Sequence, residues 1–204
     1  SHTIIDYGCG SGLFVKFLIN KGFKAFGYEP YNTNFNSAAT LSDKFDFVIS
    51  QDVIEHVDDP LDFLNKLKSL SKNNTTIVIG TPYSDNIDLD DRKDQVGSLH
   101  QPFHRFIVSK KQVPMLFEDK EWKINQIIEK YYVDTLVPFV NEQFLLSYFK
   151  VGGYLMDVGF EPIKFLNFIT NPELILTGFF GGLFTRKQNL LIVLNKRIGN
   201  IEDK

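Results

Sequence analysis

Cysteine is almost missing from this chain of 204 residues. One thiol, Cys9, cannot close an internal disulfide, which excludes a cross-linked secreted scaffold and fits a reducing compartment. Long apolar runs are missing too: no stretch reaches the roughly 18 residues that span a bilayer, so no transmembrane segment is expected. Nor is there an excess of basic charge. The formal net charge is -3, so no electrostatic footprint points to nucleic acid or to an anionic membrane as a partner. No signal peptide is visible, and the expected compartment is cytoplasmic. The sequence opens directly on a strand-like run, from which an N-terminal portion is expected to be missing.

What is present is ordinary globular material, 43% hydrophobic and 23% charged, enough to bury a sizeable core and too apolar for general disorder. Thr3 to Tyr7 ("TIIDY") is a β-branched run ending at glycine, which predicts a buried strand. Ser11 to Lys21 carries Leu13, Phe14, Phe17 and Leu18 at helical spacing, with Gly22 placed as a C-cap. Phe23 to Glu29 reads as a second strand, and strand, helix, strand within about 30 residues is a βαβ unit with a right-handed crossover.

The alternation continues. Lys44 to Gln51 reads as a strand, Asp59-Pro60 as an N-cap and first helical residue, and Leu61, Leu64, Leu67 and Leu70 as one apolar helix face. Thr75 to Pro82 is nearly continuous in apolar residues, as a central parallel strand should be. Tyr83 to Gln101 reads as a polar, acidic loop, Ser109 to Phe117 as a helix, Trp122 to Val133 as a strand, Pro138 to Tyr154 as an aromatic helix, and Asn189 to Lys196 as a last strand. The expected organisation is one domain over 1–204, with a core of 3–82, 105–133 and 189–197 and an inserted lid over roughly 134–187.

Between the first strand and helix stands Gly8-Cys9-Gly10-Ser11-Gly12. In an open α/β sheet ligands bind beyond the carboxyl ends of the strands, and a glycine turn there lets backbone come close to a nucleoside. Glu29 ends the next strand, where an acidic side chain can take both ribose hydroxyls. The third glycine of the dinucleotide fingerprint is missing: position 13 is Leu and position 15 is Val. A cofactor without phosphates therefore fits better than one whose pyrophosphate sits on a helix N-terminus.

"IIDYGCGSG", "GYEP" and "FDFVISQDVIEHVDDP", in that order, resemble the successive motifs of class I S-adenosylmethionine-dependent methyltransferases. The likeness is to the branch containing ubiquinone-biosynthesis-type and related small-molecule enzymes, and it covers Thr3 to about Gly80. It implies a Rossmann-like, doubly wound, mostly parallel sheet of seven strands whose last strand is antiparallel. It also implies that Asp6, Gly8, Cys9, Gly10 and Gly12 surround the methionine part of S-adenosylmethionine, that Glu29 binds the ribose, and that Gln51, Asp52 and Val53 close the site. One departure stands out. Only 15 residues separate Glu29 from Phe45, with no good third strand and no clear acidic residue for the adenine amino group. Pro30 and Tyr31 are the candidates to pack on that ring.

"QDVIEHVDD" sets Asp52, Glu55 and His56 at helical spacing, and "LHQPFHRF" adds His100 and His104. Three readings stay open. Glu55 and His56 cap a short helix; or His56, His100 or His104 is the general base that takes the acceptor's proton; or Glu55, His56 and a later histidine hold a divalent metal. This part of the chain also resembles small-RNA 2′-O-methyltransferases, whose glutamate-histidine motif with a distant histidine binds magnesium; here Asp52 stands where that motif has its first glutamate. The preferred reading includes no metal. Arg105 is a candidate for an anionic acceptor group or for an ion pair with a preceding aspartate. The aromatic runs Phe139 to Phe149 and Leu174 to Phe184 read first as packing and lid, next as an apolar substrate pocket, and last as a membrane-surface patch beside Arg186 and Lys187. The expected activity is methyl transfer to an oxygen or nitrogen of a small-molecule acceptor; its rivals are a divalent-metal-dependent RNA 2′-O-methyltransferase-like enzyme using Glu55, His56 and His104, and a non-catalytic donor-binding protein.

Overall fold

β-branched and aromatic residues bounded by glycine or proline build the sheet of this computed structural model, which describes residues 2–85, 87, 103–129, 135, 137–152, 165–184 and 189–197. The strands are β1 (Thr3–Tyr7), β2 (Lys24–Tyr28), β3 (Phe45–Gln51), β4 (Ser71–Pro82), β5 (Trp122–Ile128) and β6 (Asn189–Lys196). They lie in the order β2-β1-β3-β4-β6-β5. β1 runs parallel to both β2 and β3, and β3 to β4, while β5 is antiparallel to β6. The order departs in both directions from β1, so the carboxyl ends of β1 and β3 flank the topological switch point, where such sheets hold ligands.

The sheet has six strands among the described residues, where seven were expected. The segment after β2 is too short and too polar for another; it carries a 3-10 turn, Ala38–Ser42, before β3 begins. β4 starts at Ser71 rather than Thr75, and the added residues absorb a register irregularity opposite Phe45 and Phe47.

Helix α1 (Leu13–Asn20) follows the glycine turn and ends at Lys21, with Gly22 beyond it at φ 87°. Its buried side chains are Val15 and Leu18. The expected inward face was Leu13, Phe14, Phe17 and Leu18, but Leu13 is 73% exposed and Phe14 and Phe17 stack on each other outside. A helix of two turns reaches the sheet along one narrow stripe, and Val15 and Leu18, three apart, take it. Helix α2 (Pro60–Ser69) keeps its expected start: the Asp59 carboxylate accepts from the amides of Leu61 (2.8 Å) and Asp62 (3.2 Å). Such a cap contributes about 1 kcal/mol. Phe63, Leu64 and Leu67 of α2 and Leu70 just after it are buried, whereas Leu61 faces outward.

The core gathers Ile5, Val48, Ile77 and Ile79 of the central strands with Leu64, Leu67, Phe117, Ile192 and Leu194. Helix α3 is shorter than expected, Val113–Phe117, because Pro114 belongs in a first helical turn and not in an interior one. At the amino ends of the strands Asp46 accepts from the amide and hydroxyl of Thr3 (2.7 and 2.9 Å) and pairs with Lys72 at 2.8 Å, which holds its carboxyl well below the usual range.

The chain divides into two units: 1–85, 102–128 and 190–204 in the first, and 86–101 with 129–189 in the second. The second contains α4 (Glu142–Val151), α5 (Phe165–Thr170), α6 (Pro172–Phe180) and a 3-10 turn, Gly181–Leu183. Its expected helix start at Pro138 moves to Glu142, because Phe139 takes a left-handed φ of 65° and Asn141 caps the helix by accepting from Phe144 at 2.9 Å. The Asn141 side chain also donates to the carbonyls of Thr177 and Gly178 at 3.0 and 3.3 Å. The Phe139 ring meets Phe144, Phe168 and Phe179 edge to face. No helix among the described residues is long and apolar enough to cross a membrane. His100, most of the Tyr83 to Gln101 loop, the far ends of the expected elements at Val133 and Tyr154, and Arg186 and Lys187 lie outside the described residues.

Candidate functional site

The glycine turn is pinned to the neighbouring strand: the amides of Gly8 and Cys9 both donate to the carbonyl of Tyr28, at 2.7 and 3.1 Å. Gly8, Gly10 and Gly12 have φ of 86°, 52° and 73°, a left-handed region that side chains disfavour. The three differ in what surrounds them. A methyl group built on Gly8 would collide with Val53 Cγ2, and one on Gly12 with the ring of Phe35. One on Gly10 would meet nothing within 4 Å. The first and third glycines are required by packing within the chain, while the middle one faces open space at the end of β1.

Two carboxyl groups converge here. Glu29 accepts from the Gly10 amide at 3.2 Å through Oε2 and from the Tyr31 amide at 3.2 Å through Oε1. Each carboxylate oxygen has a second lone pair for a further donor. Asp6 is 7% exposed, and burial, with the Glu29 charge second, raises its carboxyl to about 6. The same burial, with Asp6 and Glu29 nearby, pushes the Cys9 thiol to about 11, so it is no ready nucleophile. Pro30 and Tyr31 stand on the surface, Tyr31 at 95% exposure.

Across the switch point, β3 delivers Gln51, Asp52 and Val53. The Gln51 side chain lies over Gly80, where a Cβ would stand 3.3 Å from its Cγ. The Asp52 amide donates to the Gly80 carbonyl at 3.0 Å, and its own φ is 52°. Asp52 is therefore not part of a helix, and the expected shared face with Glu55 and His56 does not form; the turn is a 3-10 segment, Ile54–His56. Asp52 keeps an exposed surface, yet desolvation raises its carboxyl to about 6, opposed by His56.

Glu55 is 0% exposed. Burial first, with the Asp52 charge adding, pushes its carboxyl to about 8, while its own backbone amide and Thr81 act in the opposite direction. Its Oε2 accepts from Thr81 at 3.4 Å, and its Oε1 has no hydrogen-bond partner. Its backbone carbonyl takes the amides of Arg105 (2.7 Å) and Phe106 (3.2 Å), which draws the later segment onto this turn. His56 Nδ1 stands 3.1 Å from the Phe103 carbonyl, and the rings of His56 and His104 meet at 4.8 Å. One ligand atom from each of Glu55, His56 and His104 lies within 4.8 Å of the others, a group that could hold a metal ion. Arg105 forms an ion pair with Asp58, on the exposed surface.

The fold thus brings Asp6, Gly8, Cys9, Gly10, Gly12 and Glu29 to one edge of the switch point and Gln51, Asp52 and Val53 to the other. Sequence reasoning missed Asn32, Phe35 and Thr81. Thr81 had a usable signal, a hydroxyl at the carboxyl end of a central strand. Asn32 and Phe35 had none, since they act through a turn that no periodicity marks.

A family model described as a methyltransferase domain matches residues 1–127. The ubiquinone biosynthesis O-methyltransferase of Rhodopseudomonas palustris strain HaA2 is 31% identical over 98 residues, covering 38% of this chain and 39% of that protein. The chain therefore spans well under half the length of the curated relatives it matches. A SAM-dependent methyltransferase from Archaeoglobus fulgidus superposes with a TM-score of 0.51 at 19% identity, covering 96% of this chain and 86% of its own. The plantazolicin methyltransferase, solved with SAH and a desmethyl analogue, gives 0.53 at 15% identity, covering 96% and 77%. At such identities these two matches show a shared fold.

Proposed function

Since the chain belongs to the methyltransferase-domain family, within the class I S-adenosylmethionine-dependent methyltransferases, we propose that it transfers the donor's methyl group to an oxygen or nitrogen of a small molecule. The observation that carries this reading is the open face of Gly10 beside the Glu29 carboxylate. Glu29 accepts the two ribose hydroxyls through its unused lone pairs. The glycine turn, with Asp6 and Cys9, lies along the methionine part, while Pro30, Gln51, Asp52 and Val53 bound the adenosyl group. The acceptor's nucleophilic atom attacks the methyl carbon in line with the departing thioether, so the protein mainly supplies alignment. A hydroxyl acceptor must lose its proton during the attack, and the paired imidazoles of His56 and His104 are the candidates to take it. His100 is the third candidate base. The ubiquinone-type relatives favour O-methylation, the net charge of -3 speaks against a nucleic-acid acceptor, and the lone thiol suits the cytoplasm.

A second reading is favoured by buried Glu55, whose Oε1 is orphaned and which has a carboxylate oxygen within 4.8 Å of a ligand atom of each of two imidazoles. One carboxylate and two histidines fit a transition-metal dication, and Glu55, His56 and His104 would be its ligands. Such an ion supplies Lewis acidity to an acceptor oxygen. It also occupies the imidazole lone pairs, so the two readings exclude each other at His56 and His104.

Calorimetry with S-adenosylmethionine and S-adenosylhomocysteine, against NAD as control, tests the donor. Micromolar binding of both with none of NAD is expected, and the reverse preference overturns the reading. Turnover that survives exhaustive chelation, on an acceptor found by screening, supports the base; turnover abolished by chelation and restored by added dication supports the metal.

A further inference from the structure

The segment Glu29 to Phe35 is folded onto the glycine turn by its own hydrogen bonds. The Asn32 side-chain amide donates to the Gly10 carbonyl at 2.8 Å, while the Gly10 amide donates to Glu29. Both polar groups of one peptide unit's residue are therefore held by side chains of the same short loop. The loop is in turn closed on itself: the Glu29 amide donates to the Phe35 carbonyl (3.0 Å), the Phe35 amide to the Asn32 carbonyl (2.8 Å), and the Asn34 amide to Asn32 Oδ1 (3.0 Å). Its far end carries the Phe35 ring, which fills the space left by the missing side chains of Gly12 and Gly27.

We propose that Asn32 is a positioning residue for the donor: its amide holds the Gly10 carbonyl and so sets the distance between the open glycine and the ribose-binding carboxylate. This rests on the donor reading given above. The physical argument concerns freedom. Gly10 has no side chain and no packing neighbour on its outer side; Glu29 and the Gly12 amide, which donates to the Cys9 carbonyl at 2.8 Å, hold the peptide plane before it, and Asn32 holds the plane after it. Loss of either contact lets a glycine turn sample conformations that the donor must then select against. Asn32 sits where no third strand forms, so this latch takes over the stiffening that a further strand would give the loop after β2.

The test uses the full chain and S-adenosylhomocysteine as the probe. Asn32→Ala and the isosteric Asn32→Asp, which cannot donate, are compared with Glu29→Gln and with Glu29→Gln combined with Asn32→Ala. The expected result is at least a ten-fold rise in Kd for each Asn32 variant, with the thermal midpoint of the free protein unmoved. In the double variant the two losses fall short of their product, because both act on one glycine. Full additivity, unaltered affinity in Asn32→Asp, or a loss of affinity that merely tracks a falling midpoint overturns the inference. If the wild-type protein itself fails to bind the probe, the donor reading falls and takes this one with it; if the wild type binds while the Asn32 variants bind equally, only the role of Asn32 falls.

Discussion

The rings of His56 and His104 meet edge to face with centroids 4.8 Å apart, although Phe103, whose carbonyl the His56 Nδ1 faces, comes 47 positions later in the chain. The pair exists because the backbone carbonyl of Glu55 gathers the amides of Arg105 and Phe106. Replacing either histidine by alanine should lower turnover on a hydroxyl acceptor by about a hundred-fold or more, the scale of a lost general base. Affinity for S-adenosylhomocysteine should stay within two- or three-fold of wild type. Steady-state rates read beside calorimetry check this, and an unchanged rate in both variants removes the pair from the chemistry.

The three glycines of the turn should separate by what surrounds them. Gly12→Ala adds a collision with Phe35 to an unfavourable φ, so it should destabilise by more than the roughly 1–2 kcal/mol of the backbone strain alone. Gly10→Ala carries only the strain, because its new methyl meets no protein atom, yet that methyl stands where the donor should lie. Chemical denaturation and ligand titration of the two proteins make the comparison. Donor affinity retained in Gly10→Ala would contradict the assigned cleft.

Asp6 makes stability depend on pH in a stated direction. Its carboxyl is raised to about 6 from an ordinary 3.8, so between those values the folded chain binds the proton that the unfolded chain has lost. Stability from this group is thus present at low pH and is lost as pH rises through the folded value, a change of about 3 kcal/mol. Asp6→Asn should melt several degrees above wild type at pH 7.5 and together with it near pH 4. The same variant should bind S-adenosylhomocysteine more weakly. A melting difference that ignores pH would refute the assignment.

Leu67 is fully buried between α2 and the central strands. Leu67→Ala should destabilise by about 2–5 kcal/mol, the range for a leucine whose cavity cannot collapse. Leu61→Ala, on the outer face of the same helix, should change stability by less than about 0.5 kcal/mol. Urea midpoints of the two variants decide it.

The parallel core was legible because its signals are local: β-branched runs for β1 and β4, Asp59-Pro60 for the start of α2, glycines for the turn. The meeting of Glu29 with the glycine turn was legible for the same reason, since each ends one of two strands that lie side by side. The orientation of α1 was not, because six of its eight residues are apolar and only the sheet selects Val15 and Leu18. Helix α4 starts late because a left-handed Phe139 is settled by its packing against Gly178, which no propensity foretells. Burial likewise separated Glu55 from its neighbour: adjacent residues of one charged stretch ended with one carboxyl enclosed and one imidazole outside.

Tyr83 and Val108 form an isolated parallel bridge, and the Ser84 amide donates to the Val108 carbonyl at 3.0 Å. Together with the clamp at Glu55, this fastens both ends of the excursion between Asp85 and Phe103 to the same rim of the sheet. Ser84 and Arg105 therefore keep their places through main-chain bonds alone, which no side-chain replacement at either position, short of proline, removes.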